Sequence, residues 1–322
     1  MSLSPAYHLR TNKGVERLLF VELLRKLDGR LRLPIAKYEY VSLGGPYLED
    51  FTLVHGTFGN RRMVSLELRK HVRSRQLINQ PHSRISLTLN STADFVESFR
   101  PGRAPLIVWF DFEWPDWKTQ IAQSCELLSE LPPLSVFKIT LSGKTEWLGG
   151  HSAEDALVPR AEKLSEMFAD YGSFTAGEIN SDSICDTLYR ILHGAVADAV
   201  PDTAKKCVRT LASYRYNDGT PILTVTMVVG AISQIEDVVQ KAELRKWPFS
   251  DLNWRGPKEI AVPHLSMRER LAVDQMLPDA SARTVVRKLK LRLSDDYKQS
   301  IEAMANYVQF YRHVPQFLRV AL

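Results

Sequence analysis

The chain has 322 residues, of which 44% are hydrophobic and 25% charged, and its formal net charge is +5. These fractions are those of an ordinary globular protein and exclude a disordered or fibrous chain, and the length is enough for one large or two smaller domains. The mild positive charge permits an anionic partner without requiring one.

The cysteines and the apolar runs indicate the cellular compartment of the protein. None of the three cysteines forms a C-x-x-C pair, which favours free thiols in a reducing cytosol over a disulfide framework or a zinc site. No apolar run approaches the roughly 20 residues that span a bilayer. Residues 1–10 lack the apolar core of a signal peptide. We therefore expect a cytoplasmic protein that does not bind membranes.

The first half of the chain alternates helix-like and strand-like segments. Apolar residues at helical spacing predict an amphipathic helix over residues 13–28. The segments that follow are predicted as strands at residues 38–43, 62–68, 85–89, 105–110 and 136–141, and as helices at residues 46–55, 69–79, 93–99 and 117–131. Strands that alternate with helices form parallel sheets, so we predict an α/β fold with a doubly wound, mostly parallel sheet.

The pattern changes after Gly149-Gly150. Helices are predicted over residues 153–170 and 181–200, followed by strands over residues 208–216 and 222–229. The sequence between these strands, Asn-Asp-Gly-Thr, is a strong turn signal and predicts an antiparallel hairpin. The rest of the chain is predicted to be mainly helical, with a loop rich in Trp and Pro over residues 247–263.

Residues 38–51, YEYVSLGGPYLEDF, join the first strand to the next helix through Gly44 and Gly45. In a doubly wound sheet, ligands bind outside the carboxyl ends of the strands, which is where this loop falls. Glycine lets the backbone approach a ligand with a positive φ, and the N–H groups of a following helix favour a carboxylate. The alternative is a tight strand-to-helix turn without a ligand.

Polar residues follow the second and third predicted strands. Glu67 ends the second strand, where a carboxylate can accept hydrogen bonds from both hydroxyls of a ribose. The alternative is a solvated glutamate paired with Arg69 or Arg73. Asn90 and Ser91 follow the third strand and could either bind an adenine edge or cap the next helix.

Two acids and an aromatic residue end the fourth strand, in the order Asp111-Phe112-Glu113-Trp114. Such a group could hold a substrate hydroxyl, bind a divalent ion or activate a nucleophile. The alternative for Trp114 is packing at the rim of the sheet. No cluster of His or Cys has the spacing of metal ligands, so no metal site is predicted.

Five βα units followed by an antiparallel hairpin resemble the class I S-adenosylmethionine-dependent methyltransferases over about residues 38–230. A closer resemblance, from end to end, is to a family of bacterial O-methyltransferases. It is carried by residues 9–13, by the Gly-Gly stretch with Asp50, Phe51 and His55, and by residues 64–67 and 109–111. Some members of that family are encoded near mobile-element or anti-phage genes.

The resemblance implies a helical cap at residues 1–35, a Rossmann-like methyltransferase domain at residues 36–232 and a helical extension at residues 233–322 that packs on it. It implies S-adenosylmethionine as the cofactor and an acceptor that the sequence does not identify. The cofactor would be held by Ser42, Gly44, Gly45, Glu67, Asn90 and Asp111. The catalytic residues would be Asp111 and Glu113, and the substrate would contact Trp114, Lys13 and Arg10.

The glycine loop departs from the methyltransferase pattern. Ser42 stands where an acidic residue would precede Leu-Gly, and Pro46 or Gly45 replaces the next glycine. A buried hydrogen bond to a charged group contributes about 1.5–3 kcal/mol. Its loss predicts weak, remodelled or absent cofactor binding unless Glu49 or Asp50 takes the place of the missing acid.

Two other functions stay open at this point. The first is a non-catalytic Rossmann-like subunit of a bacterial defence or mobile-element complex, whose protein partner docks on the C-terminal helices. The second is a methyltransferase that modifies nucleic acid. A basic segment at residues 283–292 supports this alternative. Because a charged solvated helix face is commoner, nucleic acid is not favoured. An aromatic stripe is predicted to pack on the sheet domain and consists of Tyr307, Phe310, Tyr311 and Phe317.

Overall fold

The computed structural model describes residues 10–149 and 156–315. In these ranges the strands are β1 Glu39–Ser42, β2 Met63–Leu66, β3 Ile85–Thr88, β4 Leu106–Asp111, β5 Val136–Ser142, β6 Cys207–Asn217, β7 Pro221–Gly230 and β8 Lys258–Ile260. The first helices are α1 Thr11–Leu27, α2 Glu49–Phe58, α3 Lys70–Asn79, α4 Thr92–Ser98 and α5 Trp117–Glu130. The later ones are α6 Leu157–Met167, α7 Ile184–Ala199, α8 Ile232–Lys241, α9 Met267–Asp274, α10 Ala282–Leu289 and α11 Tyr297–Phe310.

The strands form one sheet in the order β3-β2-β1-β4-β5-β7-β6-β8. The pairs β1–β2, β1–β4, β2–β3 and β4–β5 are all parallel. β7 runs antiparallel to β5, so that Val136 lies opposite Val228 and Ser142 lies opposite Ile222. The predicted α/β fold, with a mostly parallel sheet and an added hairpin, is confirmed.

The core lies around the centre of the sheet, because β4 and β5 are buried along their whole length. Such burial explains their nearly continuous runs of apolar residues. Phe110 and Phe137 meet edge to face with ring centroids 5.4 Å apart. Trp117, at the start of α5, is fully buried and donates its indole N–H to the Ser142 carbonyl at 2.8 Å.

Two local predictions were wrong. The helix expected from residue 46 begins at Glu49, because Gly44, Gly45 and Leu48 all have left-handed φ values of 62°, 51° and 53° and form a wider turn. The short strand β8 lies inside the segment predicted as a loop, since three residues are too few to show an alternating pattern. The first residues of the helix predicted at 153–170 lie outside the described ranges.

The chain divides into two compact units. One contains residues 10–20, 216–218 and 259–315, and the other contains residues 21–149, 156–215 and 219–258. In the first unit Tyr307 and Phe310 are buried, and the Tyr307 hydroxyl donates to Asp274 Oδ1 at 2.8 Å. Phe317 of the predicted aromatic stripe lies outside the described residues. The packing of that stripe on the sheet domain, like the three-part division of the chain, stays a prediction.

The three cysteines are buried and unbridged. Burial raises the pKa of the Cys125 and Cys185 thiols to about 12. Among the residues described, no group of His, Cys, Asp and Glu has the arrangement of a metal site. A search of the same residues finds no helix with the length and apolarity to cross a membrane.

The aromatic contact at the centre of the sheet gives a first testable prediction. Replacing Phe137 by Ala should lower the free energy of unfolding by about 3–5 kcal/mol, because it leaves a cavity beside Phe110 on the face of the sheet. Urea unfolding followed by far-UV circular dichroism measures this change. Leu77→Ala, at a side chain that is 59% exposed, is the control and should stay within about 0.5 kcal/mol of the parent. Equal losses in both variants would contradict this location of the core.

Candidate functional site

The carboxyl end of β1 is the topological switch point of the sheet. β1 is flanked by β2 on one side and by β4 on the other. The chain continues from β1 to β2 and β3 on one side and then crosses to β4 and β5 on the other side. Ser42 lies opposite Ser65 of β2 and Trp109 of β4. Glu67 lies two residues after Ser65, and Asp111 lies two residues after Trp109. Since neighbouring strands lie roughly 4.8 Å apart, the predicted site residues on β1, β2 and β4 meet at one edge.

The Gly44-Gly45 turn adopts the positive φ values predicted for it. A Cβ atom on Gly44 would lie 2.6 Å from Ser65 Oγ and 2.8 Å from side-chain atoms of Leu48 and Phe51. Gly44 is therefore required both by its φ value and by the lack of space. The Gly45 N–H donates to the Leu43 carbonyl at 2.7 Å, so that this N–H is already committed within the turn.

Gln76 of α3 fixes the turn from the side. Its buried amide nitrogen donates to the Gly45 carbonyl at 2.8 Å and to Ser65 Oγ at 3.1 Å. Sequence reasoning missed this residue, although a glutamine on the buried face of a basic helix was a signal. The turn is consequently held in one conformation by α3 as well as by its own backbone.

Glu67 is held at the end of β2 with one carboxylate oxygen occupied. Its side chain is 6% exposed, and Oε1 accepts the backbone N–H of Arg69 at 2.8 Å and Arg69 Nε at 3.1 Å. No described residue donates to the other oxygen, Oε2. The predicted pairing with Arg69 is therefore present, and the second carboxylate oxygen remains for a ligand hydroxyl.

Arg69 also connects the ends of two strands that are not neighbours. Its Nη2 lies 3.9 Å from Glu113 Oε2, beyond the end of β4, while its Nε contacts Glu67. The guanidinium thus spans the end of β1, which separates β2 from β4. The sequence suggested Arg69 as a partner of Glu67 but did not show that Glu113 lies near Arg69. That proximity depends on the strand order.

The structure shows one of the two roles considered for Asn90 and Ser91, the helix cap. Ser91 is the N-cap of α4, since its Oγ accepts the Asp94 N–H at 3.0 Å and Asp94 Oδ2 accepts the Ser91 N–H at 2.8 Å. Asn90 is exposed, and its side chain makes no hydrogen bond with a described residue. The capping role is therefore filled, and the Asn90 amide is available to a ligand.

The residues after β4 divide between buried and exposed positions. Asp111 is buried at the end of the strand, opposite Thr140 of β5. Trp114 is 70% exposed, its carbonyl accepts a hydrogen bond from the Gln120 side chain, and Lys144 Nζ lies 5.5 Å from its ring centroid. An exposed indole beside two acids offers a flat apolar surface, which an acceptor molecule can cover.

A buried lysine that the sequence reasoning missed lies beneath this edge. Lys138 of β5 is fully buried, and its Nζ lies 3.4 Å from the centroid of the Trp109 ring. Trp109 in turn donates its indole N–H to Thr140 Oγ1 at 2.9 Å. A cation in this place adds positive charge close to the end of β4.

Glu49 and Asp50, which could replace the missing motif acid, lie at the start of α2, and that role stays a prediction. Asp50 is buried and accepts the Tyr40 hydroxyl at 2.7 Å, which occupies its Oδ2. Ser42 itself is buried at the end of β1. Glu49 begins α2, three residues later than expected, because of the wide turn.

The predicted substrate contacts Arg10 and Lys13 belong to the other compact unit. There Asp218 Oδ2 accepts the backbone N–H of Lys13 at 2.9 Å, and Asp218 Oδ1 accepts Asn12 Nδ2 at 3.1 Å. These bonds support the interpretation of this segment as the start of a helix, α1. Contact of Arg10 and Lys13 with a substrate stays a prediction.

The strand order and the closing antiparallel strand are those of a class I methyltransferase-type fold, and the glycine turn and the strand-end acid lie at its switch point. A family model described as "Putative O-methyltransferase" matches residues 5–322, so the chain belongs to that family. This match confirms the resemblance found in the sequence, and S-adenosylmethionine is the cofactor of this class. No curated protein matches the chain.

Solved structures with a similar fold include other methyltransferases. The "putative O-methyltransferase" from Klebsiella pneumoniae is 10% identical, with a TM-score of 0.39, covering 71% of this chain and 82% of that one. The N-methyltransferase NodS from Bradyrhizobium japonicum is 12% identical, with a TM-score of 0.36, covering 66% of this chain and 96% of that one. At such values we base the assignment on the family match alone.

The glycine turn gives the second testable prediction, with a matched control in the same region. Gly44→Ala should lower the free energy of unfolding and weaken S-adenosylmethionine binding at least tenfold, because a Cβ atom cannot fit at this φ value. Gly56→Ala lies inside α2, where nothing is within 4 Å of the added Cβ. We expect it to be neutral or to stabilise by up to about 1 kcal/mol. Calorimetric titration measures S-adenosylmethionine affinity, and urea unfolding measures the free energy of unfolding, for both variants. Equal values in the two variants would exclude the predicted role of Gly44 in the cofactor loop.

Proposed function

We propose that this protein transfers a methyl group from S-adenosylmethionine to an acceptor oxygen at the carboxyl end of β1. One observation carries the proposal: Arg69 brings Glu67 and Glu113 together across the switch point of the sheet. The family match to residues 5–322 supports the reaction class. The site residues below are assigned as part of this proposal.

The residues at the edge match the chemistry of the cofactor. Oε2 of Glu67 can accept a ribose hydroxyl while Arg69 holds Oε1 in place. The free amide of Asn90 can donate to and accept from an adenine edge. Gly44 and Gly45 allow the backbone to approach the amino-acid part closely. Ser42 supplies no charge, so we expect weaker recognition of the cofactor ammonium group than an acidic residue would give.

The acids after β4 act on the acceptor. S-adenosylmethionine, when bound, would supply a methyl group from its positively charged sulfur and would leave as S-adenosylhomocysteine when the sulfur–methyl bond breaks. Asp111 and Glu113 would orient the acceptor hydroxyl, and one of these carboxylates would take its proton as the oxygen–methyl bond forms. Arg69, 3.9 Å from Glu113, keeps that carboxylate at the edge. Trp114 covers one side of the acceptor, so that positioning provides much of the rate enhancement.

Location and partners are proposed from fewer observations. Three buried, unbridged cysteines support a cytoplasmic protein. A protein partner, a part in antiviral defence and contact with nucleic acid rest on the resemblance and on the basic segment at residues 283–292. Nothing in the comparisons adds to these expectations, and they stay predictions.

Glu67 provides a direct test of cofactor binding. The parent protein should bind S-adenosylmethionine and S-adenosylhomocysteine in the micromolar range, and Glu67→Ala should weaken both at least tenfold, about 1.4 kcal/mol. The loss follows from removing an acceptor for the ribose hydroxyls. Isothermal titration calorimetry measures it, with Glu97→Ala, an exposed residue on α4, as the control. No binding by the parent protein at millimolar ligand would favour a non-catalytic scaffold.

The acids after β4 provide a separate test of catalysis. Asp111→Asn and Glu113→Gln remove the two candidate bases, and loss of a general base typically costs 10²–10⁴-fold in rate. At least one variant should lose this much transfer of labelled methyl from S-adenosylmethionine into a bacterial extract. Glu113→Gln should bind the cofactor within twofold of the parent, and Glu126→Gln, exposed on α5, is the control. Parent-level transfer by both variants would rule out this assignment.

A further inference from the structure

A cavity in the larger unit is lined by basic side chains. It has a volume of about 300 Å³ and lies between the first residues of β6, the helix α8 and the loop at residues 250–256. Four cationic residues line it: Arg209, Arg245, Arg255 and Lys258. Only two carboxylates, Glu236 and Asp251, share the lining, so positive charge is in excess.

This cavity lies at the edge of the sheet opposite to the candidate methyl-transfer site. Cys207 Sγ, at the start of β6, is 3.4 Å from the Gly230 carbonyl at the end of β7. The end of β7 pairs with the start of β5, where Val136 lies opposite Val228. Asp111, in contrast, lies opposite Thr140, near the end of β5. A ligand in this cavity would therefore not occupy the cofactor site.

The loop at residues 250–256 is anchored by a buried carboxylate. Asp251 Oδ2 accepts hydrogen bonds from the hydroxyls of Tyr189 and Ser213. Its Oδ1 accepts the backbone N–H of Arg255 at 2.9 Å. Much of the Asp251 charge is thus taken up by the protein itself, and these bonds fix the backbone from which Arg255 extends.

The conformation of the loop is held by a stacked tryptophan. Trp254 has a φ of 50°, which a residue other than glycine rarely adopts, and its backbone N–H donates to Thr210 Oγ1 at 3.2 Å. The ring of His193 stacks on its indole with centroids 4.7 Å apart. These contacts offset the energetic cost of the unusual φ value and fix the loop in one conformation. A wall that is fixed before binding lowers the entropy cost of binding a ligand.

Two of the four cations are available to a ligand. Arg209 makes a bidentate pair with Asp202 at 2.8 and 2.7 Å, and Arg245 pairs with Glu236. The side chains of Arg255 and Lys258 make no hydrogen bond or ion pair with any residue in the described ranges. Cations that converge on a cavity without partners favour a ligand with more than one negative charge.

Apolar residues also line the cavity. They are Ile235 and Val239, both buried on one face of α8, and Leu252. An inorganic anion would leave this apolar part of the lining uncovered, whereas an organic group would cover it. We propose that the cavity binds a small organic phosphate, whose phosphate group contacts Arg255 and Lys258 and whose organic part lies against α8.

The test uses phenyl phosphate as the probe, because it has no adenine that could enter the cofactor site. Calorimetric titration of the full chain at low salt should give tighter binding of phenyl phosphate than of inorganic phosphate. The double variant Arg255→Gln/Lys258→Gln should weaken phenyl phosphate binding at least tenfold. The control double variant Arg103→Gln/Lys163→Gln removes the same charge at exposed positions elsewhere and should bind within twofold of the parent.

Several outcomes would overturn the proposal. No binding of phenyl phosphate by the parent protein, or equal loss in the two double variants, would show that the cavity does not recognise phosphate. Tighter binding of a single-stranded oligonucleotide, lost in Arg255→Gln/Lys258→Gln, would assign the cavity to a polymer instead. Thermal unfolding confirms that each variant is folded, and S-adenosylmethionine affinity, which should not change, separates this site from the cofactor site.

Discussion

The position of β1 between β2 and β4 is the constraint on which the candidate site depends. It brings the ends of three strands that are distant in sequence to one edge, with Ser42 directly between Ser65 and Trp109. Arg69 then reaches from Glu67 to Glu113 across the end of β1. A strand order that placed β2 and β4 farther apart would separate these two acids, and the remaining residues would no longer form one site.

The site differs from the usual methyltransferase pattern in how it is held together. The motif acid is absent, and Asp50, which could have replaced it, is engaged by Tyr40. The glycine turn is wide, with its shape held by Gln76, and the strand-end acid Glu67 is held by Arg69. Under the proposed function, these contacts would hold a rigid frame around the ribose of the cofactor, in place of a charged contact with its amino-acid part.

The two ends of the sheet offer different chemistry within one unit. The carboxyl edge presents acids and an exposed indole, which suit a hydroxylated acceptor. The amino edge presents Arg255, on a loop fixed by Asp251 and Trp254, and Lys258 of β8, whose side chains have no partner among the described residues. The length of β5, β6 and β7 separates the two edges. Two ligands could therefore be bound at the same time without competing.

The sequence by itself determined the elements of the sheet and the family, because apolar periodicity and glycine signals are local and survive without tertiary contacts. It placed Gly44, Glu67 and Asp111 at strand ends, yet it put the start of α2 too early and did not show β8. Only the tertiary structure decided which side chains meet: Arg69 with Glu113, Gln76 with the glycine turn, and Arg255 with Lys258 around one cavity. Those proximities depend on strand order and on loops packed from distant parts of the chain, which no local pattern encodes.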